Sequence, residues 1–251
     1  MKALITGASG GIGRDMARYL STQGHELILV ARSRENLENL QKELTTPSEI
    51  ISLDLSDPGA ASCLYQQTAD KQVDILINNA GFGAFGEFTA TNLDTELNMI
   101  DLNIKSLHIL TKLFLKDFVA RDNGYILNVS SIAGFLPGPL MSTYYASKAY
   151  VLRLTQAIYE ELRQRGSRVH ISALCPGPVK TGFNARAGAQ FGSHGLESEA
   201  VAAYALKKMF AGKLTIIPGA PIKALRFAER ILPDKLFLKA IYGTQTRRKK
   251  Q

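Results

Sequence analysis

The segment MSTYYASKAYVLRLTQAIYEELR, residues 141–163, carries two adjacent tyrosines, Tyr144 and Tyr145, followed by a lysine at position 148. It reads as one amphipathic helix. Tyr144 lies four residues before Lys148 and Tyr145 three, so both share its helix face. A free phenol titrates near pH 10, roughly three units too high for a proton donor or acceptor matched to neutral pH. A cationic lysine nearby stabilises the phenolate, and each unit of lowering corresponds to about 1.36 kcal/mol. The chemistry on offer is proton transfer through a tyrosine. Spacing alone leaves the choice between the two open.

A second group of residues addresses an anion. ALITGASGGIGRDMARYL, residues 3–20, sets Gly7, Gly11 and Gly13 between an apolar run and a helical pattern. Gly7 permits a tight turn, Gly11 lets the backbone approach a pyrophosphate, and Gly13 allows a helix to pack closely on a strand. The helix start adds free N–H groups and a partial positive charge. A glycine triplet in this strand–turn–helix context predicts a dinucleotide. At the end of the next apolar run, where an acidic residue often holds the adenosine ribose, the chain reads Ala31–Arg32 instead. A guanidinium in place of a carboxylate suits a 2′-phosphate, and the Ser9 hydroxyl could join it. The expected cofactor is therefore NADP(H) rather than NAD(H).

These residues need elements to hold them. KALIT (2–6), ELILVA (26–31), EIISLD (49–54), VDILIN (73–78), GYILNVS (124–130), RVHISALC (168–175) and LTIIP (214–218) read as seven buried strands. Helical patterns start near Ile12, Ser33, Asp57, Asn92, Ser142 and Glu197. Continuous apolar strands alternating with helices predict an α/β fold: one doubly wound, seven-stranded parallel sheet of Rossmann type, with its crevice at the strands' carboxyl ends. The helix after Asn92 is expected to be long, with Leu93, Leu97, Ile100, Ile104, Leu107, Phe114 and Phe118 as a core stripe. Such a length would also serve packing on a second subunit. Residues 180–200 are rich in glycine and small or polar residues and are a candidate lid. The expected division is a catalytic domain over 1–220 and a basic helical extension over 221–251.

Composition narrows the function classes. The 251 residues are 45% hydrophobic and 21% charged, which suits a globular domain. Cys63, Cys175 and the four histidines are scattered, so no metal site is expected. The net charge of +8 is concentrated in the tail, where residues 221–251 hold nine Lys/Arg against Glu229 and Asp234. The rest is nearly neutral, which argues against a nucleic-acid binder. No run of about 18 apolar residues occurs, and the apolar stretch at the N-terminus is too short for a signal-peptide core. The expectation is a cytoplasmic protein.

The motifs TGASGGIG (6–13), DLSD (54–57), NNAG (78–81), Asn103 in DLNIKS, NVSS (128–131), YYASK (144–148) and PGPVKT (176–181) occur in order. Together they resemble the short-chain dehydrogenases/reductases, over at least residues 2–182. The resemblance implies hydride transfer between a nicotinamide and a carbonyl or secondary alcohol. It implies a catalytic tetrad of Asn103, Ser131, Tyr144 and Lys148, and so selects Tyr144 over Tyr145 and Ser131 over Ser130. Ser131 would hydrogen-bond the substrate oxygen, and Asn103 would hold a water in a proton relay to Lys148; the plainer reading of Asn103 is a helix distortion made for packing. Gly7, Ser9, Gly11, Ile12 and Gly13 would bind the cofactor's phosphates. Asp54 and Leu55 would meet the adenine, and Asn79, Ala80 and Gly81 would line the adenosine ribose side, with Asn78 steadying the sheet. Pro176, Gly177, Val179 and Thr181 would frame the nicotinamide, whose ribose Lys148 would also bind.

Segments 82–91, 132–143 and 180–200 would wall the substrate site, and their apolar and small residues favour an apolar carbonyl compound. The look of the chain is similar to 3-oxoacyl and 17β-hydroxysteroid-type reductases. In the tail, Pro221 and Pro233 bound two helical halves, with Lys223, Arg226 and Arg230 on one side of the first. The tail could pack on the body or a second subunit, close over a lipophilic substrate, or touch an anionic membrane through RRKK. A homo-oligomer, dimer or tetramer, is expected. The rival class is a sensor or scaffold that binds dinucleotide without chemistry; the intact tetrad argues against it.

Overall fold

Seven strands form one parallel sheet in the computed structural model, which describes residues 1–183, 188, 195–219 and 234–248. In chain order the strands are β1 (Lys2–Thr6), β2 (Glu26–Ala31), β3 (Ser48–Ser52), β4 (Ile75–Asn78), β5 (Tyr125–Val129), β6 (His170–Leu174), β7 (Val179–Lys180), β8 (Leu196–Glu197) and β9 (Thr215–Ile216). The large sheet runs β3-β2-β1-β4-β5-β6-β9, while β7 and β8 pair apart from it. The order reverses between β1 and β4, so a crevice opens at their carboxyl ends. Each expected strand appears, several shorter at one or both ends than their apolar runs.

Alternate residues of each strand feed opposite cores. Ala3, Ile5, Leu27 and Leu29 pack with Met16 and Leu20 of α1 (Gly11–Thr22), Leu37 of α2 (Arg34–Glu43) and Val201 of α7 (Ser198–Phe210). Leu4, Ile28 and Val30 face Leu64 of α3 (Ala60–Thr68), Phe114 of α5 (Leu107–Ala120) and Leu162 of α6 (Ser142–Gln164). Burial on both faces explains why these strands read as continuous apolar runs. In the middle of the sheet, Asn78 donates to Asn128 (2.9 Å) and Thr111 (3.0 Å), and Asn128 donates to Thr155 (3.0 Å). These bonds satisfy most of the polar groups buried there, although Asn78 Oδ1 has no partner among the described residues.

Side-chain caps start two helices where turn chemistry predicts them. Ser33 accepts from the amide of Asn36 and Asn92 from that of Thr95. The expected long helix after Asn92 runs through to Ala120, but not as plain α-helix throughout. It consists of α4 (Leu93–Ile100), a π turn over Asp101–Ser106, and α5. The core-stripe reading holds only for its second half: Leu107, Phe114 and Phe118 are buried, whereas Leu93, Leu97 and Ile100 are 64%, 48% and 38% exposed. The tail contributes α8 (Asp234–Arg248). Among the described residues no helix is long and apolar enough to cross a membrane.

Candidate active site

A cavity of about 1020 Å³ lies at the carboxyl ends of the central strands. Its floor begins with the glycine loop. Gly7 and Gly11 have φ of +67° and +53°, a region that costs other residues strain. A Cβ on Gly7 would lie 2.8 Å from Asn79 Nδ2, and one on Gly13 would lie 2.4 Å from the same atom. Helix α1 starts behind Gly10 with no side-chain cap and no acidic residue in its first turn. Its first N–H groups are thus left for an anion, and the tight cradle is one that side chains would fill. A dinucleotide pyrophosphate fits this arrangement.

Thr6 pins the loop, a role its sequence position did not announce. Its Oγ1 accepts from the amides of Asn79 and Ala80, both at 3.0 Å, while Asn79 Nδ2 donates to the carbonyls of Thr6 (3.0 Å) and Gly7 (3.1 Å). Asn79 therefore braces the phosphate loop. At the end of β2 the exposed Arg32 reaches Asp54 at 3.4 Å, beside Ser9, Ser33 and Asn36 on the cavity wall. Burial raises the Asp54 carboxyl, but hydrogen bonds from Ser56 and the charge of Arg32 outweigh it and hold it below its usual range. Leu55, Ala80, Gly81, Pro176, Gly177, Val179 and Thr181 line the same cavity.

Three of the four expected catalytic residues, Ser131, Tyr144 and Lys148, line its opposite side, whereas Asn103 is buried and does not line it. Ser131 lies two residues past β5, accepts from the amide of Ala133 at 3.1 Å, donates to the Pro176 carbonyl at 3.5 Å, and brings its hydroxyl to the Tyr144 phenol. Its neighbour Ser130 instead donates to the carbonyl of Lys148 at 2.7 Å, which ties it to helix α6. Lys148 is buried, with Nζ donating to the Val129 carbonyl at 2.9 Å and lying 5.8 Å from the Tyr144 ring centre. Asn103 sits in the π turn. Its amide donates to the Phe82 carbonyl (2.9 Å) and Ser147 (3.1 Å), and its carbonyl accepts from the Phe82 amide (3.1 Å). A Cβ on Gly81 would come within 2.8 Å of Asn103 Oδ1 and 3.3 Å of Lys148 Nζ, so the glycine permits this close approach.

The electrostatics depart from the simple expectation of a tyrosine lowered by its lysine. Burial pushes the Tyr144 phenol up to about 12, although the Ser131 hydrogen bond acts against it. Burial also pulls the Lys148 ammonium down to about 8, with Cys175 acting in the other direction. Desolvation disfavours both charges, and it is the larger effect on each.

Apolar side chains close the remaining wall. Phe82, Leu136, Met141 and Phe183 line it, and the Phe183 ring centre is 5.4 Å from that of Tyr144. Tyr145, expected only to pack, also lines the cavity; its ring lies edge-on to Tyr144 at 6.0 Å and against Gly138, where any Cβ would collide with it. Of the candidate lid, Thr181, Gly182 and Phe183 reach the cavity, while 184–187 and 189–194 lie outside the described residues. So do Lys223, Arg226 and Arg230 with the first half of the tail, and Lys249 and Lys250 of the RRKK expected to meet a membrane. The described half brings Ile241 and Gln245 of α8 to the cavity, two residues that the sequence reading of the tail does not single out.

Residues 1–191 match the sequence family described as short chain dehydrogenase. An uncharacterised oxidoreductase from Staphylococcus epidermidis is 34% identical over 182 residues, covering 71% of this chain and 78% of that protein. The very-long-chain 3-oxoacyl-CoA reductase of Homo sapiens is 32% identical over 187 residues, or 71% of this chain and 59% of the relative. A solved short-chain dehydrogenase from Sphingobium yanoikuyae, in complex with NADPH, is 32% identical with a TM-score of 0.82, covering 91% of this chain and 93% of that one. The match runs from the first residue through the phosphate loop and past the tyrosine–lysine helix, and the chain belongs to the short-chain dehydrogenase family.

Proposed function

We propose that the chain is an NADP(H)-dependent oxidoreductase that interconverts an apolar carbonyl compound and its secondary alcohol. The observation that carries this reading is the meeting of Tyr144, Ser131 and Lys148 in one cavity with an uncapped glycine-loop helix. When bound, the dihydronicotinamide supplies the hydride. Tyr144 gives its proton to the substrate oxygen, and Ser131 holds that oxygen by a hydrogen bond as charge develops on it. Lys148 favours the tyrosinate left behind, binds the nicotinamide ribose and passes a proton back. Asn103 keeps the Phe82 loop and α6 in register and anchors the water of that relay.

Arg32 favours NADP(H) because a 2′-phosphate offers its guanidinium a bidentate partner in place of the single, longer contact with Asp54. The relative that reduces 3-oxoacyl-CoA and the apolar wall of Phe82, Leu136 and Met141 both favour an apolar acyl or steroid-like ketone. The exposed stripe of Leu93, Leu97 and Ile100 favours a homo-oligomer. The test is an NADPH-oxidation screen over acyl thioesters, steroids, quinones, sugars and aldehydes, repeated with Tyr144→Phe. Turnover that is lost in the variant while NADPH still binds is expected. Undiminished turnover in Tyr144→Phe would overturn the assignment.

A further inference from the structure

The wall formed by Phe82, Leu136, Met141, Phe183 and Ile241 is apolar, and one amide interrupts it. Gln245, on α8, is only 1% exposed and lines the cavity. Its Nε2 donates to the Tyr145 hydroxyl at 3.1 Å. Its Oε1 is buried with no hydrogen-bond partner among the described residues. Exchanging the two amide atoms does not remove the problem: the Tyr145 hydroxyl could then donate to Oε1, but the amide hydrogens would lack an acceptor. Ile241, one turn earlier, packs on the cluster of Phe135, Leu136, Leu152 and Ile217, so α8 is docked on the body at this point. A buried amide end without a partner disfavours the folded state unless something else satisfies it.

Resting on the function proposed above, we infer that Gln245 determines substrate specificity. Its amide takes a second oxygen function of the substrate, a hydroxyl or carbonyl apart from the group that reacts. Tyr145 orients that amide, and its own ring stands edge-on to Tyr144. The second oxygen is thereby read beside the proton donor. The substrate class is an apolar ketone with a further hydroxyl or carbonyl, preferred over the plain ketone of the same size. A site built to hydrogen-bond such a group discriminates against compounds that lack it, because its own buried amide is then left unpaired.

The experiment uses the full chain loaded with NADP⁺, and as probes decan-2-one and a set of decan-2-ones hydroxylated at successive carbons. Calorimetric binding and, with NADPH, steady-state reduction are measured for the wild type, Gln245→Met and Tyr145→Phe. At least one hydroxyketone is expected to bind about tenfold more tightly than decan-2-one, the effect of one good hydrogen bond. Gln245→Met should bring that ratio close to one through the hydroxyketone's KM, leave decan-2-one unchanged or better bound, and not lower Tm. Tyr145→Phe, which frees the amide, should reduce the ratio in part. Equal binding of all probes by the wild type, no binding of any probe, or a ratio kept by Gln245→Met would each overturn the inference. A merely structural glutamine would weaken both probes alike and lower Tm. Failure of the proposed function is distinguishable, since it would appear as probe binding without NADPH oxidation.

Discussion

Lys148 commits a hydrogen bond to the main-chain carbonyl of Val129, 2.9 Å away, while its Nζ stands 5.8 Å from the centre of the Tyr144 ring. The charge is buried and answered by a dipole, and burial holds the ammonium down at about 8. A lysine depressed on folding binds its proton less tightly in the folded than in the unfolded chain. The buried charge therefore costs stability below about pH 8, and the cost fades as pH climbs towards 10.5. Lys148→Met should accordingly stabilise the cofactor-free protein at pH 7, by on the order of 3 kcal/mol at most. The advantage should shrink between pH 8 and 10, which urea unfolding across that range would reveal. A gap independent of pH would contradict this account.

Tyr144 is the mirror case. Its phenol, raised from 10 to about 12 by burial, should stay protonated in the cofactor-free protein through pH 10. A bound oxidised nicotinamide brings positive charge to the site and should lower that midpoint. The phenolate absorbance of the wild type minus Tyr144→Phe, titrated with and without NADP⁺, reads it directly. Coincident curves would exclude electrostatic coupling between cofactor and tyrosine.

Arg32 sets the cofactor preference on this reading. Replacing it by glutamate removes the guanidinium and adds a charge that repels a 2′-phosphate. NADPH affinity should fall about 10- to 100-fold, the range of a charge-assisted hydrogen bond, while NADH affinity changes little. Quenching titrations with the two cofactors would measure the ratio. If the wild type already prefers NADH, the assignment to NADP(H) is wrong.

Leu97 lies 48% exposed between Leu93 and Ile100. Should this face join subunits, Leu97→Lys would bury a charge at the contact and shift the protein towards monomer. Light scattering at micromolar concentration would record it. A wild type that is itself monomeric at high concentration would rule out the face as an interface.

Much of this was readable from residue order. The apolar runs became strands of one sheet, and the central ones are buried on both faces, as Leu4 and Ile5 illustrate by entering opposite cores; the edge strand β3 is only half-buried. The glycine spacing fitted the loop, since Gly7 and Gly13 both abut Asn79. Other features depend on distance in space. Thr6 became the pin of the loop only once β4 lay beside β1, and Gln245 joined Tyr145 across 100 positions of chain. The balance on Tyr144 also escaped the sequence, because i,i+4 spacing reports the lysine's nearness but not the loss of water around both groups. An unbroken heptad-like stripe from Leu93 to Phe118 concealed the π turn.

That turn has a geometric consequence for the helix that follows. A π turn adds about one residue to a helix, and one residue is about 100° of rotation about the axis. Rewinding Asp101–Ser106 as plain α-helix, with no residue removed, would therefore act as a change of phase rather than of length. Leu107 and Phe114 would swing off the core, or else α4 and Asn103 would swing off the Phe82 loop. The six residues work as an angular coupling, letting one stretch of chain present an outward apolar face before the turn and an inward one after it.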